Sequence, residues 1–191
     1  KVDKRGNFRP PIKEVESWEY LNSNPSTNPD FNCNAEKIPV AARSYDMVVM
    51  TEVLEHLLQP DLVLKECARV LKYNGQLVVT IPFLYPIHAD PHDFQRWTPE
   101  KIRLEFERAG FILDKIEAMG SIFAVICDLI HVALGSASKN PNAFINRAVR
   151  KLIMSFGGGF FLWLDKIYAN KSSKITTGFY ILAKNDSQNI V

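Results

Sequence analysis

Continuous apolar runs and stretches with a helical period follow one another through the middle of the chain. Residues 45–53 form an apolar run bounded by polar residues, as expected of a strand buried on both faces of a parallel sheet. After Pro60, apolar positions recur with a helical period, which predicts a helix that Asn74-Gly75 ends as a C-cap. Residues 76–83 are again continuously apolar and predict the next strand.

The second half of the chain continues in the same order. Thr98 followed by Pro99 is typical of a helix start, and the amphipathic segment after them runs to Ala109-Gly110. Further strands are predicted for residues 111–119 and 176–184, and a short one for residues 17–21. Residues 121–170 have a helical pattern and are unusually apolar.

Strands that alternate with helices over short connections predict an open α/β fold with helices on both faces of the sheet. We expect one domain over residues 1–191, with residues 121–170 as a helical insertion that acts as a lid or an interface. The apolar segments 122–134 and 143–163 have three interpretations: helices that close over a pocket, a homodimer face, or a surface in peripheral contact with a membrane. The closing helix is favoured.

Composition and charge limit the classes of function. Of 191 residues, 47% are hydrophobic and 23% are charged, which is typical of a globular domain rather than a disordered chain. The net charge of +2 comes without a concentrated basic stripe, so no nucleic-acid partner is expected. The three cysteines include no C-x-x-C pair, which predicts a reducing, cytoplasmic environment rather than a disulfide framework or a zinc knuckle.

Ligands of open α/β sheets bind at the carboxyl ends of the strands, and this rule selects three loops. One lies around residues 34–36 and another spans residues 51–59, which include Thr51, Glu52, Glu55 and His56. Carboxylates and an imidazole at this edge suit a polar ligand with amino or hydroxyl groups. Glu55 and His56 are equally well explained as ordinary residues of a helix start, where acidic side chains are favoured.

The third loop, residues 82–98, is long for an α/β connection, and long loops at this edge are usually functional. It carries two histidines, two aspartates and an arginine among aromatic residues: His88, Asp90, His92, Asp93 and Arg96. These side chains could ligate a metal, but no metal site is predicted. A general base is favoured over metal binding because an imidazole titrates near neutral pH. An ordinary hydrogen-bonded lid over a pocket explains the histidines equally well.

Three motifs follow one another along the middle of the chain: Y-D-M-V-V-M-T-E-V-L-E-H at residues 45–56, R-V-L-K-Y-N-G-Q-L at 69–77 and A-G-F at 109–111. In this order they resemble class I S-adenosylmethionine-dependent methyltransferases of the type 11 group, and the similarity covers residues 30–120. Residues 177–184 are similar to the family's last, antiparallel strand. The resemblance implies an open, mostly parallel seven-stranded Rossmann-like sheet and S-adenosyl-L-methionine as the cofactor. Residues 82–98 are similar to a bacterial subgroup associated with surface polysaccharide or lipid-linked sugar pathways.

The resemblance also implies roles for individual residues. Positions that match the cofactor-binding side of the family are Asn34, Ala35 and Glu36, an element whose first side chain, here Asn34, meets the adenine, and Thr51, Glu52 and His56. Positions that match the acceptor side are His88 as the first candidate base, His92 as the next, and Arg96 as the group that orients the acceptor.

Two elements depart from the family pattern. The glycine-rich turn is represented only by Asp3 and Gly6, and the acidic residue that holds the ribose is replaced by Asn22. A neutral amide loses the stronger, charge-assisted hydrogen bond to a hydroxyl. Either an N-terminal portion is missing from the chain or the cofactor site has degenerated.

Two functions therefore compete. The first is methyl transfer from S-adenosylmethionine to a small-molecule or saccharide- or lipid-linked acceptor. The second is a non-catalytic module that keeps the methyltransferase fold for partner binding or assembly. A nicotinamide-dependent oxidoreductase ranks last because the chain has no G-x-G-x-x-G after a first strand.

Overall fold

Four strands and four longer helices make up the part of the chain that the computed structural model describes, which is residues 15–88, 92–136, 158–168 and 174–186. The strands are β1 (Tyr45–Thr51), β2 (Leu71–Pro82), β3 (Phe111–Met119) and β4 (Gly178–Asn185). The helices are α1 (Pro60–Val70), α2 (Pro99–Arg108), α3 (Ile122–Ser136) and α4 (Gly158–Tyr168). Two short 3₁₀ turns span Pro25–Thr27 and Leu54–His56.

The strands form one open, mixed sheet in the order β1-β2-β4-β3. β1 and β2 are parallel, whereas β4 lies antiparallel to both of its neighbours, β2 and β3. The expected antiparallel last strand is therefore confirmed. Within the described residues the sheet has four strands rather than the expected seven. The short strand expected at residues 17–21 is absent, because the backbone there makes only an isolated bridge between Leu21 and Phe31.

Of the expected boundaries of α1 and α2, the start of α2 is confirmed and the end of α1 is wrong. Thr98 caps α2 as expected, since its side chain accepts a hydrogen bond from the Lys101 backbone N–H. The expected C-cap of α1 at Asn74-Gly75 is wrong, because the helix already ends at Val70 and Leu71 begins β2. Asn74 takes the left-handed φ of 59° inside β2, and a Cβ on Gly75 would lie 2.8 Å from the Lys72 carbonyl oxygen.

The core lies between the sheet and the two helices α1 and α2. Leu64 of α1, Phe106 of α2 and Leu77 of β2 have no exposed surface. The Asn185 side-chain amide at the end of β4 donates to the Ala68 carbonyl oxygen at 2.8 Å and to the Leu71 carbonyl oxygen at 3.0 Å. These bonds join the last strand to the junction of α1 and β2 and satisfy buried backbone acceptors there.

Gly178 marks the closest approach between strands and provides a test of the packing. A Cβ at this position would lie 2.5 Å from the Ile81 carbonyl oxygen and 2.9 Å from the Met119 Cε atom. We expect Gly178→Ala to lower the free energy of unfolding by about 1–3 kcal/mol, because the neighbouring strand backbone must shift. Gly159→Ala is the matched control, since a Cβ on Gly159 meets nothing within 4 Å. Denaturant unfolding measures both variants, and an equal effect would contradict the packing described here.

Among the described residues between β3 and β4 are two apolar helices, α3 and α4. The Asp165 carboxylate of α4 accepts hydrogen bonds from the Ser121 backbone N–H, at 3.2 Å, and from the Ser121 hydroxyl, which ties the start of α3 to α4. Apolar side chains on both helices remain exposed, among them Leu129, Phe160 and Trp163. Neither these helices nor the others that the structure describes are long and apolar enough to cross a membrane. The role of residues 121–170 as lid or interface stays a prediction.

Candidate active site

The chain turns sharply at the carboxyl end of β1, where the candidate loop of residues 51–59 begins. Glu52 adopts a left-handed φ of 52°, and its backbone N–H donates to the Thr80 carbonyl oxygen of β2 at 3.1 Å. This turn leaves the Thr51 and Glu52 side chains exposed at the edge of the sheet. The 3₁₀ turn Leu54–His56 follows and buries Leu54 and Glu55. Glu55 and His56 therefore lie in a separate turn before α1, not in its first turn.

Residues 92–98, at the end of the third candidate loop, fold back onto this 3₁₀ turn. The Phe94 backbone N–H donates to the Glu55 carbonyl oxygen at 2.8 Å. The Gln95 side-chain amide donates to the carbonyl oxygens of Leu54, at 2.8 Å, and Leu57, at 2.9 Å. A short turn leaves backbone acceptors without partners of their own, and the loop satisfies them. The end of the loop of residues 82–98 is thus fixed over the loop of residues 51–59.

Glu55 is the most unusual residue of this region because its carboxylate is buried without a hydrogen-bond partner. Its exposed fraction is 0%, and neither carboxylate oxygen has a hydrogen-bond partner in the described part of the chain. The nearest basic atoms are two imidazole nitrogens, His56 Nε2 at 3.5 Å and His88 Nε2 at 3.7 Å from Glu55 Oε1. Burial raises the pKa of the Glu55 carboxyl, and the Glu52 carboxylate adds to this effect. The backbone N–H of Glu55 itself and the two imidazoles oppose it.

Asp93 and Arg96 hold the His88 ring in place. The Asp93 side chain is only 2% exposed and forms a bidentate pair with the Arg96 guanidinium. This pair lowers the pKa of Asp93 to about 2, because the arginine stabilises the ionised carboxylate. Asp93 Oδ2 accepts a hydrogen bond from the His88 backbone N–H at 3.0 Å and lies 3.6 Å from His88 Nδ1. Arg96 therefore acts on His88 through Asp93.

The two histidine rings of the cluster contact each other, while the third histidine of the site turns away. The His56 and His88 rings meet edge to face with centroids 5.2 Å apart, and Tyr85 packs on His88 in the same manner at 5.4 Å. His92 is exposed, and its ring packs beside Phe94 at 5.4 Å. Its backbone carbonyl oxygen, not its ring, contacts the cluster by accepting a hydrogen bond from His56 Nδ1.

The residues expected on the cofactor side are not gathered into one cluster. The segment after Asn34 is fixed to α1, since the Ile38 backbone N–H donates to Glu66 Oε1 at 2.7 Å and Arg69 donates to the Ile38 carbonyl oxygen at 2.9 Å. The Asn34 side chain is exposed, and Ala35 packs against the core beside a half-buried Glu36. The Asn22 side-chain oxygen accepts a hydrogen bond from the Asn24 backbone N–H at 2.8 Å.

Asp3 and Gly6, the expected remnants of the glycine-rich turn, lie outside the described residues. Their assignment to the cofactor therefore stays a prediction, as do the assignments of Asn22 and Asn34.

Comparisons with known proteins show what this chain is similar to. A family described as "Methyltransferase domain" matches residues 15–79, about a third of the chain. The resemblance to class I methyltransferases is confirmed. No curated protein sequence matches the chain.

Solved structures of low sequence identity are similar to this chain. A chain from the complex between the Haloferax volcanii Trm112 methyltransferase activator and its methyltransferase is 15% identical, with a TM-score of 0.52 over 90% of this chain and 72% of that one. A protein assigned as a sarcosine dimethylglycine methyltransferase from Galdieria sulphuraria is 17% identical, with a TM-score of 0.49 over 82% and 58%. The [4+2]-cyclase SpnF is 20% identical, with a TM-score of 0.48 over 82% and 55%.

The alignments cover most of this chain but a smaller share of each of these proteins. The chain spans between half and three quarters of their lengths. Identity at this level shows the fold alone, and one fold serves many reactions, so the activity has to be argued from the site.

Glu55 and Asp93 are two residues of the site to which the sequence analysis gave no definite role. Glu55 was considered in the loop of residues 51–59 but was explained equally well as a helix-start acid. The signal that could have found it is its place between Leu54 and His56, directly after a buried strand. Asp93 lies three positions before Arg96 in the loop of residues 82–98, a spacing that allows an ion pair within a short turn.

The buried carboxylate predicts a gain of stability on its removal. We expect Glu55→Gln to raise the melting temperature at pH 7.5, because an ionised carboxylate without a hydrogen bond is costly to bury. A gain of about 1 kcal/mol would correspond to roughly 2–4 °C for a domain of this size. The raised pKa of Glu55 sets the sign of the pH dependence: the cost is present above the folded-state pKa and vanishes as the pH falls below the unfolded-state pKa.

Melting curves of both proteins at pH 7.5 and pH 4 measure this effect. The exposed Glu100 of α2 provides the control, because Glu100→Gln should leave the melting temperature unchanged at both pH values. A lower melting temperature for Glu55→Gln at pH 7.5 would contradict the description of Glu55 as an uncompensated acid.

Proposed function

We propose that this domain transfers a methyl group from S-adenosylmethionine to a nucleophile held under the loop of residues 83–98. The observation that carries the proposal is the buried Glu55 carboxylate flanked by the His56 and His88 imidazoles. This cluster lies where β1 and β2 end, and ligands of open α/β sheets bind at that edge. Perturbed titratable groups are concentrated at functional sites. The family match supports methyl transfer as the reaction.

The cofactor would occupy the exposed side of the same sheet edge. Thr51 and Glu52 offer a hydroxyl and a carboxylate there, and the Asn34 amide is exposed in the segment before β1. These groups fit the hydroxyls and the adenine of S-adenosylmethionine, which supplies a methyl group already activated by its sulfonium. His56 was expected on the cofactor side, but its ring contacts Glu55 and His88, so we assign it to the acceptor side.

His88 is our candidate for the base that removes the acceptor's proton. Its Nδ1 faces two acceptors, the Pro86 carbonyl oxygen at 3.3 Å and Asp93 Oδ2 at 3.6 Å. The neutral ring therefore carries its proton on Nδ1 and presents a lone pair on Nε2. The acceptor's proton moves to Nε2 as its oxygen or nitrogen takes the methyl group, and Asp93 stabilises the resulting imidazolium. Much of the remaining catalysis is alignment of donor and acceptor.

The acceptor class follows from the lining of this loop. A hydroxyl or amine fits the basic Nε2 atoms and the Glu55 carboxylate, and exposed aromatic groups such as Tyr85 and Phe94 suit the apolar face of a sugar or a ring. We therefore place the acceptor among small molecules or saccharide- and lipid-linked compounds. A non-catalytic module is not favoured, because burying Glu55 without a partner costs stability and gives such a module no benefit.

Thermal unfolding with S-adenosylhomocysteine tests the proposal. At a hundredfold excess over the dissociation constant, a ligand that binds only the folded state adds about 2.7 kcal/mol of stability. We expect a rise of roughly 5–10 °C in the melting temperature, and a smaller rise for Glu52→Gln but not for Glu100→Gln. No rise at millimolar S-adenosylhomocysteine would contradict the proposal.

A further inference from the structure

The hydrogen bonds around His56 and His88 fix which nitrogen each ring turns toward Glu55. His56 Nδ1 contacts the His92 carbonyl oxygen, and a carbonyl oxygen can only accept, so the proton of the neutral ring lies on Nδ1. His88 Nδ1 likewise faces the Pro86 carbonyl oxygen and Asp93. Both rings therefore present an unprotonated Nε2 to the same oxygen, Glu55 Oε1.

Three lone pairs that face one another repel unless a positive charge lies between them. Glu55 has no hydrogen-bond partner among the described residues to relieve this repulsion. A proton shared between Glu55 and one imidazole could supply the charge. However, the distances from Glu55 Oε1 to the two Nε2 atoms, 3.5 Å and 3.7 Å, are longer than those of ordinary hydrogen bonds. The geometry is that of ligands around a cation.

Two spacings in the cluster, 3.5 Å and 3.7 Å from Glu55 Oε1 to the imidazole nitrogens, are close to those between ligands of a divalent transition metal. Their ligand atoms all lie within 4.8 Å of one another. Metal–nitrogen and metal–oxygen bonds of about 2.0–2.2 Å place neighbouring ligands of a tetrahedral ion roughly 3.3–3.6 Å apart. Metal-bound histidines usually donate their second N–H to a carbonyl or a carboxylate, which is the arrangement of both rings here.

We propose that Glu55, His56 and His88 bind a divalent transition-metal ion through one carboxylate oxygen and two Nε2 atoms. Three protein ligands leave at least one coordination position open, as in catalytic rather than structural sites. Two imidazoles and one carboxylate suit Zn²⁺, Mn²⁺ or Fe²⁺ better than Ca²⁺ or Mg²⁺, which prefer oxygen ligands.

A bound ion would change how the acceptor is activated. His88 Nε2 would then be a ligand and no longer a base, and the ion would lower the pKa of an acceptor hydroxyl in its open position. Metal binding itself does not require methyl transfer, so this inference stands or falls independently of the proposed function.

Titration of the full chain with Co²⁺, followed by its visible absorption, tests the inference. We expect one equivalent of Co²⁺ to saturate the signal, and the affinity to fall at least tenfold in Glu55→Gln and in His88→Gln. His92→Gln is the matched control, because its ring lies outside the cluster and its affinity should equal that of the wild type. The absorption should show nitrogen and oxygen ligands and no thiolate band, since none of the three ligands is a cysteine.

Melting curves of each variant exclude unfolding as the cause of lost binding, and Glu55→Gln is expected to melt higher than the wild type. The absence of a saturable Co²⁺ signal in the wild type would overturn the inference. The positive charge between Glu55 and the imidazoles would then be a shared proton. Unchanged Co²⁺ affinity in Glu55→Gln would overturn it equally.

Discussion

Replacing His88 with glutamine is expected to lower methyl-transfer turnover by about 10²–10⁴-fold, the range that a positioned acid–base group contributes. The affinity for S-adenosylhomocysteine should stay within a few-fold, because the His88 ring faces Glu55 and Asp93 rather than the exposed edge with Thr51 and Glu52. Radiolabelled S-adenosylmethionine with an accepted substrate measures turnover, and calorimetry measures the affinity.

His92→Gln separates the chemistry of His88 from a general effect of the loop. The exposed His92 ring packs beside Phe94 outside the cluster, so its loss should change turnover much less. Equal losses for the two variants would contradict the assignment of His88. Unchanged turnover in His88→Gln would end it. If the turnover that His88→Gln loses depends on added metal in the wild type, His88 is a metal ligand. If that turnover is insensitive to chelators, His88 is a base.

Asp93→Ala is expected to give the largest loss of stability in the site. The substitution leaves the half-buried Arg96 guanidinium without its carboxylate and frees the His88 backbone N–H. Breaking a largely buried ion pair from one side costs about 3–5 kcal/mol. Arg96 keeps some contact with solvent, so we expect about 3 kcal/mol, or a fall of roughly 6–12 °C in the melting temperature.

The pH dependence of this loss follows from the depressed pKa of Asp93. A carboxyl whose pKa is about 2 in the folded state and about 3.9 when unfolded contributes stability that is full above the unfolded value. That contribution is lost as the pH falls through the folded value. Denaturant unfolding at pH 7 and pH 3 should therefore show a smaller difference between wild type and Asp93→Ala at pH 3.

Asp61→Asn is the control for Asp93→Ala. The Asp61 carboxylate pairs with Lys65 across 3.8 Å on the exposed side of α1, and such surface pairs contribute about 0–1 kcal/mol. A loss in Asp93→Ala no larger than in Asp61→Asn would show that the Asp93–Arg96 pair does not support the loop.

Elements defined by neighbouring residues could be predicted from the sequence. The apolar run of β1, the Thr98-Pro99 start of α2 and strand β3 depend on local patterns, and the structure has them where they were expected. The end of α1 could not be placed, because pairing of Leu71 with Tyr45 in the sheet outweighs the signal of Asn74-Gly75. This is tertiary structure overriding a local preference.

In the candidate site, too, local features could be predicted from the sequence and features that depend on tertiary contacts could not. Its two loops could be selected from the rule for strand ends, and His56 and His88 lie in them as expected. The burial of Glu55 could not be predicted, since it depends on Gln95 and Phe94 folding back over residues about forty positions earlier in the chain. The pairing of Arg96 with Asp93 is local, and their spacing of three positions allowed it, but the sequence analysis had placed Arg96 on the acceptor. In the structure, Arg96 holds Asp93, which in turn contacts His88.

The most direct test of the account is an NMR titration of the imidazole groups with S-adenosylhomocysteine. The chain has four histidines, so the spectrum holds one ring for each of His56, His88, His92 and His131. If cofactor and cluster share one site, the His56 and His88 signals should shift with a common dissociation constant. The signal of His131, on α3, should stay unchanged. Binding that shifts His131 alone, or that leaves His56 and His88 unaffected, would contradict the account.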